Sequence, residues 1–246
     1  MHADNCAITL TYSDEHLPSD GCLRYPDFQD FMKRLRERLR KAKLPPIQFF
    51  MCGEYGDKKA RPHYHALIFG FDFKDSIPWK RTDAGSQIRR SPLLESLWPF
   101  GHSSVGDMNF QSAAYVARYA MKKLSGEAMH ATPHGRLDLR TGELLPLVPE
   151  FIHMSLKRPI GKEWLLKYVD EVYSFDRVVF DGVETKPPRY YDKLIAERHP
   201  FAWRDIKMDR EDRAIKNPEE SSTRRLEAKE AVTLARLVKF RRGDPS

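Results

Sequence analysis

The chain has 246 residues, of which 31% are charged and 41% hydrophobic, and its formal charge is +7. That length suits one good-sized core with an extension, and the basic excess points to a polyanionic partner. No apolar run reaches a bilayer-spanning length, no signal-peptide layout opens the chain, and Cys6, Cys22 and Cys52 form no C-x-x-C pair; the expectation is a protein of a reducing cytoplasm, neither secreted nor membrane-inserted.

Cys6 to Tyr12 is apolar and β-branched and reads as a strand, stopped by the turn-forming stretch Ser13 to Gly21. Pro26 opens a helix in which Phe28, Phe31, Met32, Leu35 and Leu39 recur at helical spacing up to about Lys43. Its other face carries Lys33, Arg34, Arg36, Arg38, Arg40 and Lys41, which reads either as a solvated face or as a phosphate-contacting one. Pro45 and Pro46 close the helix, and Ile47 to Cys52 begins a buried strand that runs into Gly53, Glu54, Tyr55 and Gly56. The polar stretch Asp57 to Arg61 turns the chain, and His63 to Phe71 is its antiparallel partner.

Farther on, Pro92 to Trp98 is a short helix, Ser103 to Met108 a strand and Ser112 to Leu124 a helix. This order predicts an α+β fold, an antiparallel β-sheet covered by helices on one face. Ser125 to Pro149 is loop-like with weak strand potential at Leu144 to Val148; Lys162 to Tyr173 is helical, and Arg177 to Val183 reads as a strand. Pro187 and Pro188 open a segment with Arg189, Tyr190 and Tyr191, and Asp205 to Arg242 is a charge-dense, helix-favouring and peripheral extension.

Residues two apart on a strand share a face, so His63 and His65 emerge together and could bind a divalent ion. H-x-H is a weak signal alone, since most such pairs are structural or lie at the surface. An antiparallel return across the turn brings Glu54 beside them as a third, oxygen ligand, with coordination positions left open for a phosphate oxygen; its alternative is a solvated strand-end carboxylate. Tyr115 and Tyr119 lie four apart on one helix face, Lys122 extends the stripe, and Ala113, Ala114, Ala117 and Ala120 keep the helix slim enough to approach a sheet. Paired tyrosines at this spacing are more often core-edge residues than nucleophiles.

In combination these features resemble the HUH endonuclease superfamily. More narrowly, ITLTYSDEHLP, FMCGEYGDKKARPHYHALIFGF and SAAYVARYAMKK are similar to three successive motifs of rolling-circle replication initiators of small single-stranded DNA phages, the microviruses of gokushovirus type. The likeness covers about residues 6 to 124 and continues more weakly through MSLKRPIGKEW and KPPRYYDKL. It implies His63 and His65 as metal ligands with Glu54 as the third, Tyr115 and Tyr119 as nucleophiles, and Lys122 and Lys123 as catalytic basic residues that hold a tyrosine or its phosphate. On this basis residues 1–125 form the nicking core, 126–204 a family-specific continuation and 205–246 a charged helical tail. Such phage proteins usually carry a cysteine-containing segment before the first strand, whereas this chain starts close to that strand, as a fragment or shortened variant would.

The resemblance further implies cleavage and rejoining of single-stranded origin DNA through a 5′-phosphotyrosine intermediate. The ion would be Mg2+ or Mn2+, zinc being chemically possible. No phosphate loop of the G-x-x-x-x-G-K type occurs, so unwinding falls to a host helicase beside a host DNA polymerase, in the host cell cytoplasm. The competing readings are a plasmid initiator, relaxase or transposase of the same superfamily, a hydrolase using metal-bound water, and a noncatalytic single-stranded DNA-binding protein.

Overall fold

The computed structural model describes residues 2–56, 61–82, 85–122, 135–137, 142 and 144–238, and of these the backbone alone at 111, 118–122, 135–137, 144–146, 221 and 236–238. Two compact units divide the chain, one ending at Ile160 and the other beginning at Gly161.

In the first unit, β1 (Asn5–Tyr12) alternates strictly: Cys6, Ile8, Leu10 and Tyr12 are buried, and Ala7, Thr9 and Thr11 point the other way. Helix α1 (Tyr25–Lys41) has Pro26 in its first turn and seats Phe28, Phe31, Met32, Leu35 and Leu39 on the sheet. Burying each of these contributes about 1.5–3 kcal/mol. The helix ends before the two prolines: Lys43 turns left-handed (φ 56°), its N–H bonds to the Arg40 carbonyl, and the Leu44 N–H reaches back to the Leu39 carbonyl at 3.0 Å.

There follow β2 (Gln48–Tyr55), β3 (Pro62–Phe69), β4 (Ile77–Arg81), β5 (Gln87–Arg90), α2 (Pro92–Leu97), β6 (Gly101–Asp107), α3 (Phe110–Lys122), the paired β7 (Gly135–Leu137) and β8 (Leu144–Pro146), and β9 (Phe151–Met154). Among the described residues a seven-stranded sheet runs β4-β5-β6-β1-β3-β2-β9, every neighbouring pair antiparallel. The α+β antiparallel expectation therefore holds. The β4–β5 hairpin and β9 carry too little alternation to stand out in the sequence.

Helices on one face only was the expectation, and this is corrected. Helices α1 and α2 cover one face through Leu35, Leu94, Leu97 and Trp98, while α3 covers the other through Val116, Ala113 and Tyr115 against Cys52 and Leu67. The physical reason lies in β2 and β3, whose near-continuous burial needs cover on both sides. Ala113 packs as the slim-helix argument requires, whereas Ala117 is exposed.

The second unit contains α4 (Lys162–Ser174), β10 (Val178–Phe180), β11 (Val183–Thr185), α5 (Arg189–Arg198), α6 (Pro200–Lys216) and α7 (Thr223–Val238). Leu165, Val172 and Leu194 form its small core, ringed by Trp164, Tyr168, Tyr173, Tyr190 and Tyr191. The single strand expected over Arg177 to Val183 is a hairpin, because Asp181 and Gly182 both take positive φ (49° and 73°) and reverse the chain between the two strands. The stretch from Asp205 continues a helix begun at Pro200, and Arg210 anchors it by bonding Asp176 and Asp192. Among the described residues no helix is long and apolar enough to cross a membrane.

Candidate active site

Strand β3 carries the two histidines on the face opposite α1. Tyr64, Ala66 and Ile68 enter the α1 core, so His63, His65 and Leu67 must project toward α3. The register sets their neighbours: Glu54 and Thr11 flank His63 on the adjoining strands, and Cys52 and Thr9 flank His65. Directly opposed residues of antiparallel strands bring their Cβ atoms to about 4.5–5.5 Å, close enough for side chains to bond.

They do bond. The Thr11 hydroxyl lies 2.8 Å from His63 Nδ1, and the Thr9 hydroxyl 3.0 Å from His65 Nδ1. His65 Nε2 lies 2.6 Å from Glu54 Oε1, and the Tyr115 hydroxyl donates to the same oxygen at 3.1 Å. An ionised carboxylate only accepts, so His65 Nε2 carries the proton of that contact, and in the neutral ring Nδ1 accepts from Thr9. Glu54 is 6% exposed and His65 9%, and a carboxylate buried to that degree is tolerable because donors converge on it. The Tyr115 ring meets the His65 ring edge-on at 5.3 Å, and the two imidazoles lie 6.5 Å apart.

Gly56 closes one side, since a Cβ there would stand 2.7 Å from His63 Nε2. Arg61, where β3 is entered, donates to the Tyr12 carbonyl at 2.9 Å and pairs with Asp14.

The structure thus brings His63, His65, Glu54 and Tyr115 together. The backbone of α3 places Tyr119 one turn beyond Tyr115, but the side chains of Tyr119 and Lys122, all of Lys123, and residues 57–60 of the expected turn lie outside the described residues. Among the described residues no three His, Cys, Asp or Glu side chains already form a metal cluster; His65 and Glu54 are joined, with His63 next to them. In kind, two imidazoles and a carboxylate on one sheet face suit a divalent cation.

Three residues that sequence reasoning passed over belong to the site: Thr9, Thr11 and Gly56. The signal was present in the alternation. Thr9-Leu10-Thr11 runs antiparallel to His65-Tyr64-His63, and the threonines read only as strand formers. The basic side of α1 lies across the sheet from the histidines. Lys33 pairs with Asp30 at 2.8 Å, Arg40 with Glu37 at 2.9 Å, Arg34 donates to the Leu97 carbonyl and Arg36 lies over the Phe49 ring, which favours the solvated-face reading.

Residues 5–124 match a family model of replication-associated proteins, the ORF2 family. The chain is similar to Replication-associated protein VP4 of Bdellovibrio phage phiMH2K, 38% identical over 82% of this chain and 61% of that protein. It is 31% identical to Replication-associated protein ORF2 of Spiroplasma virus 4, over 82% of this chain and 59% of that protein. It is 29% identical to Replication-associated protein ORF4 of Chlamydia phage 1, over 81% and 49%. The chain therefore spans about half to three fifths of the length of these curated relatives. No solved structure shows a significant match to it.

Proposed function

We propose that this chain, which belongs to the ORF2 family of replication-associated proteins, is a replication-initiation endonuclease that nicks and rejoins single-stranded origin DNA through a tyrosine. The observation that carries the reading is the hydrogen bond from Tyr115 to Glu54, itself joined to His65. It supports the reading because a tyrosine hydroxyl of α3, a carboxylate that can accept its proton and the candidate metal ligands of β2 and β3 lie side by side. A phenol of reference pKa about 10 is ionised about once in a thousand molecules at pH 7, so its attack needs help in losing the proton. Glu54, holding that hydrogen bond, is placed to take it.

In the reaction the tyrosine oxygen bonds to phosphorus and the phosphorus–O3′ bond breaks. The strand keeps a free 3′-hydroxyl and the protein a 5′-phosphotyrosine. His63, His65 and Glu54 would hold the cation, Mg2+ or Mn2+, which when bound polarises a non-bridging phosphate oxygen and offsets developing charge. Lys122 and Lys123, near the end of α3, would hold the tyrosine or its phosphate. The partners on this reading are origin DNA, a host helicase and a host DNA polymerase, in the host cell cytoplasm. Roles of the relatives in phage replication favour an initiator over a relaxase or transposase.

The test is incubation with labelled single-stranded origin DNA and Mn2+, followed by a denaturing gel. A protein-linked DNA band is expected. Cleavage with no such band would indicate attack by water, and binding without cleavage a noncatalytic binder.

The candidate site lies wholly within residues 2–160. Deleting the chain after Asp205 removes Arg210 and its bonds to Asp176 and Asp192, so the second unit should melt at lower temperature. Nicking of a short oligonucleotide should nonetheless continue at a rate within about threefold of the full chain, a difference of about 0.6 kcal/mol in barrier. A folded truncation that has lost metal-dependent nicking would show that the tail contributes to the catalytic core.

A further inference from the structure

Each candidate ligand histidine faces a threonine on the same central strand. Thr9 and Thr11 sit directly across from His65 and His63, and both hydroxyls lie on Nδ1, at 3.0 and 2.8 Å. Strand β1 is held firmly where this happens. Ile8, Leu10 and Tyr12 are sunk in the opposite core, and the Trp98 indole donates to the Thr11 carbonyl at 3.1 Å. A β-branched residue on such a strand has a stiff χ1, so its hydroxyl is a fixed point against which a ring can be oriented.

We infer that Thr9 and Thr11 are positioning residues that aim the Nε2 atoms of His65 and His63 at a divalent cation, with the Thr9 hydroxyl reversing its hydrogen bond when the ion is bound. The inference rests on the metal-site reading above. In the neutral His65 ring with Nε2–H donating to Glu54, Nδ1 accepts from Thr9. A cation needs the Nε2 lone pair, so the one proton of the neutral ring must then sit on Nδ1, and the threonine oxygen must accept it. No proton is gained or lost by the ring; its tautomer changes. A backbone carbonyl could only accept and would suit one of these states, whereas a hydroxyl serves both. Partners on the far nitrogen of a ligating histidine commonly alter metal affinity about 10- to 100-fold.

The experiment compares the full chain with Thr9→Val/Thr11→Val and Thr9→Ser/Thr11→Ser, reading two quantities. One is Mn2+ affinity, from the electron paramagnetic resonance signal of unbound Mn2+. The other is imidazole tautomer, from long-range proton–nitrogen spectra of 15N-histidine protein without metal and with Mg2+. Valine keeps the shape and loses the hydroxyl; serine keeps the hydroxyl. The expected result is at least a tenfold loss of Mn2+ affinity in the valine pair, recovery in the serine pair, and His65 as an Nδ1–H tautomer only when Mg2+ is present. Equal affinity and unchanged imidazole spectra in the valine pair would overturn the inference. Failure of the unmodified chain to bind Mn2+ would instead remove the metal assignment, and the metal-free spectra would still decide whether the threonines hold the rings. Should the valine pair not fold, the single Thr9→Ala and Thr11→Ala variants are read against the same two outcomes.

Discussion

Replacing His63 or His65 by alanine should lower DNA cleavage about a thousandfold or more while leaving most of the affinity for single-stranded DNA. A thousandfold corresponds to about 4 kcal/mol, the scale expected when the group that offsets charge on the phosphate is removed. Affinity is spared because nucleic-acid binding draws on many basic side chains and two imidazoles are a small share of that field. His65→Ala should also cost stability, since it strips Glu54, 6% exposed, of a partner 2.6 Å away, whereas the less deeply buried His63 bonds to Thr11 at 2.8 Å. The thermal midpoint should therefore fall further for His65→Ala. Glu54→Ala removes an oxygen donor and the proton acceptor of Tyr115, but both imidazoles stay to hold the cation and water can accept the phenol proton in its place, so cleavage should fall less than in the histidine variants. Metal-dependent cutting by the double histidine variant, at a rate near that of the unmodified chain, would sink the metal assignment.

The second large effect concerns the two tyrosines. An initiator that cuts, stays attached through a round of synthesis, cuts again and closes a circle needs a second nucleophile while the first is esterified. Tyr115 and Tyr119 are one turn apart, about 6 Å along the helix axis, so both could reach one phosphate with modest movement. Tyr115→Phe and Tyr119→Phe should each still form an initial covalent adduct, within about tenfold of the normal rate or 1.4 kcal/mol, yet fail to release closed circles over repeated cycles. The double variant should form no adduct. Gel analysis of protein-linked DNA and of circular product measures both. If one single variant makes circles at the normal rate while the other makes no adduct, the silent tyrosine is structural.

Much of the candidate site was legible because its logic is local. His63 and His65 share a face by strand period alone, Glu54 lies one short turn upstream, and Tyr115 and Tyr119 share a helix face by helical period. The central strands and main helices were likewise legible, since Cys6 to Tyr12 and Phe28 to Leu39 each bury a repeating apolar set and Ala113, Tyr115 and Val116 pack the third helix on the sheet. The hairpin at Asp181 and Gly182 carried a readable turn signal too, but the apolar run across it masked the break.

What the residues alone determined, then, were the periodic elements and which side chains could share a face, because those depend on the geometry of a single strand or helix. Which strand lies beside which depends on contacts between residues far apart in the chain. Only the tertiary structure decided that β1 sits between β3 and β6, that Thr9 and Thr11 therefore face the histidines, and that α3 covers the face opposite α1. The same cause explains the basic run on α1. Its charges were plain in the sequence, but their place across the sheet from His63 and His65 follows from the packing of Phe28, Phe31 and Leu35 into the other core.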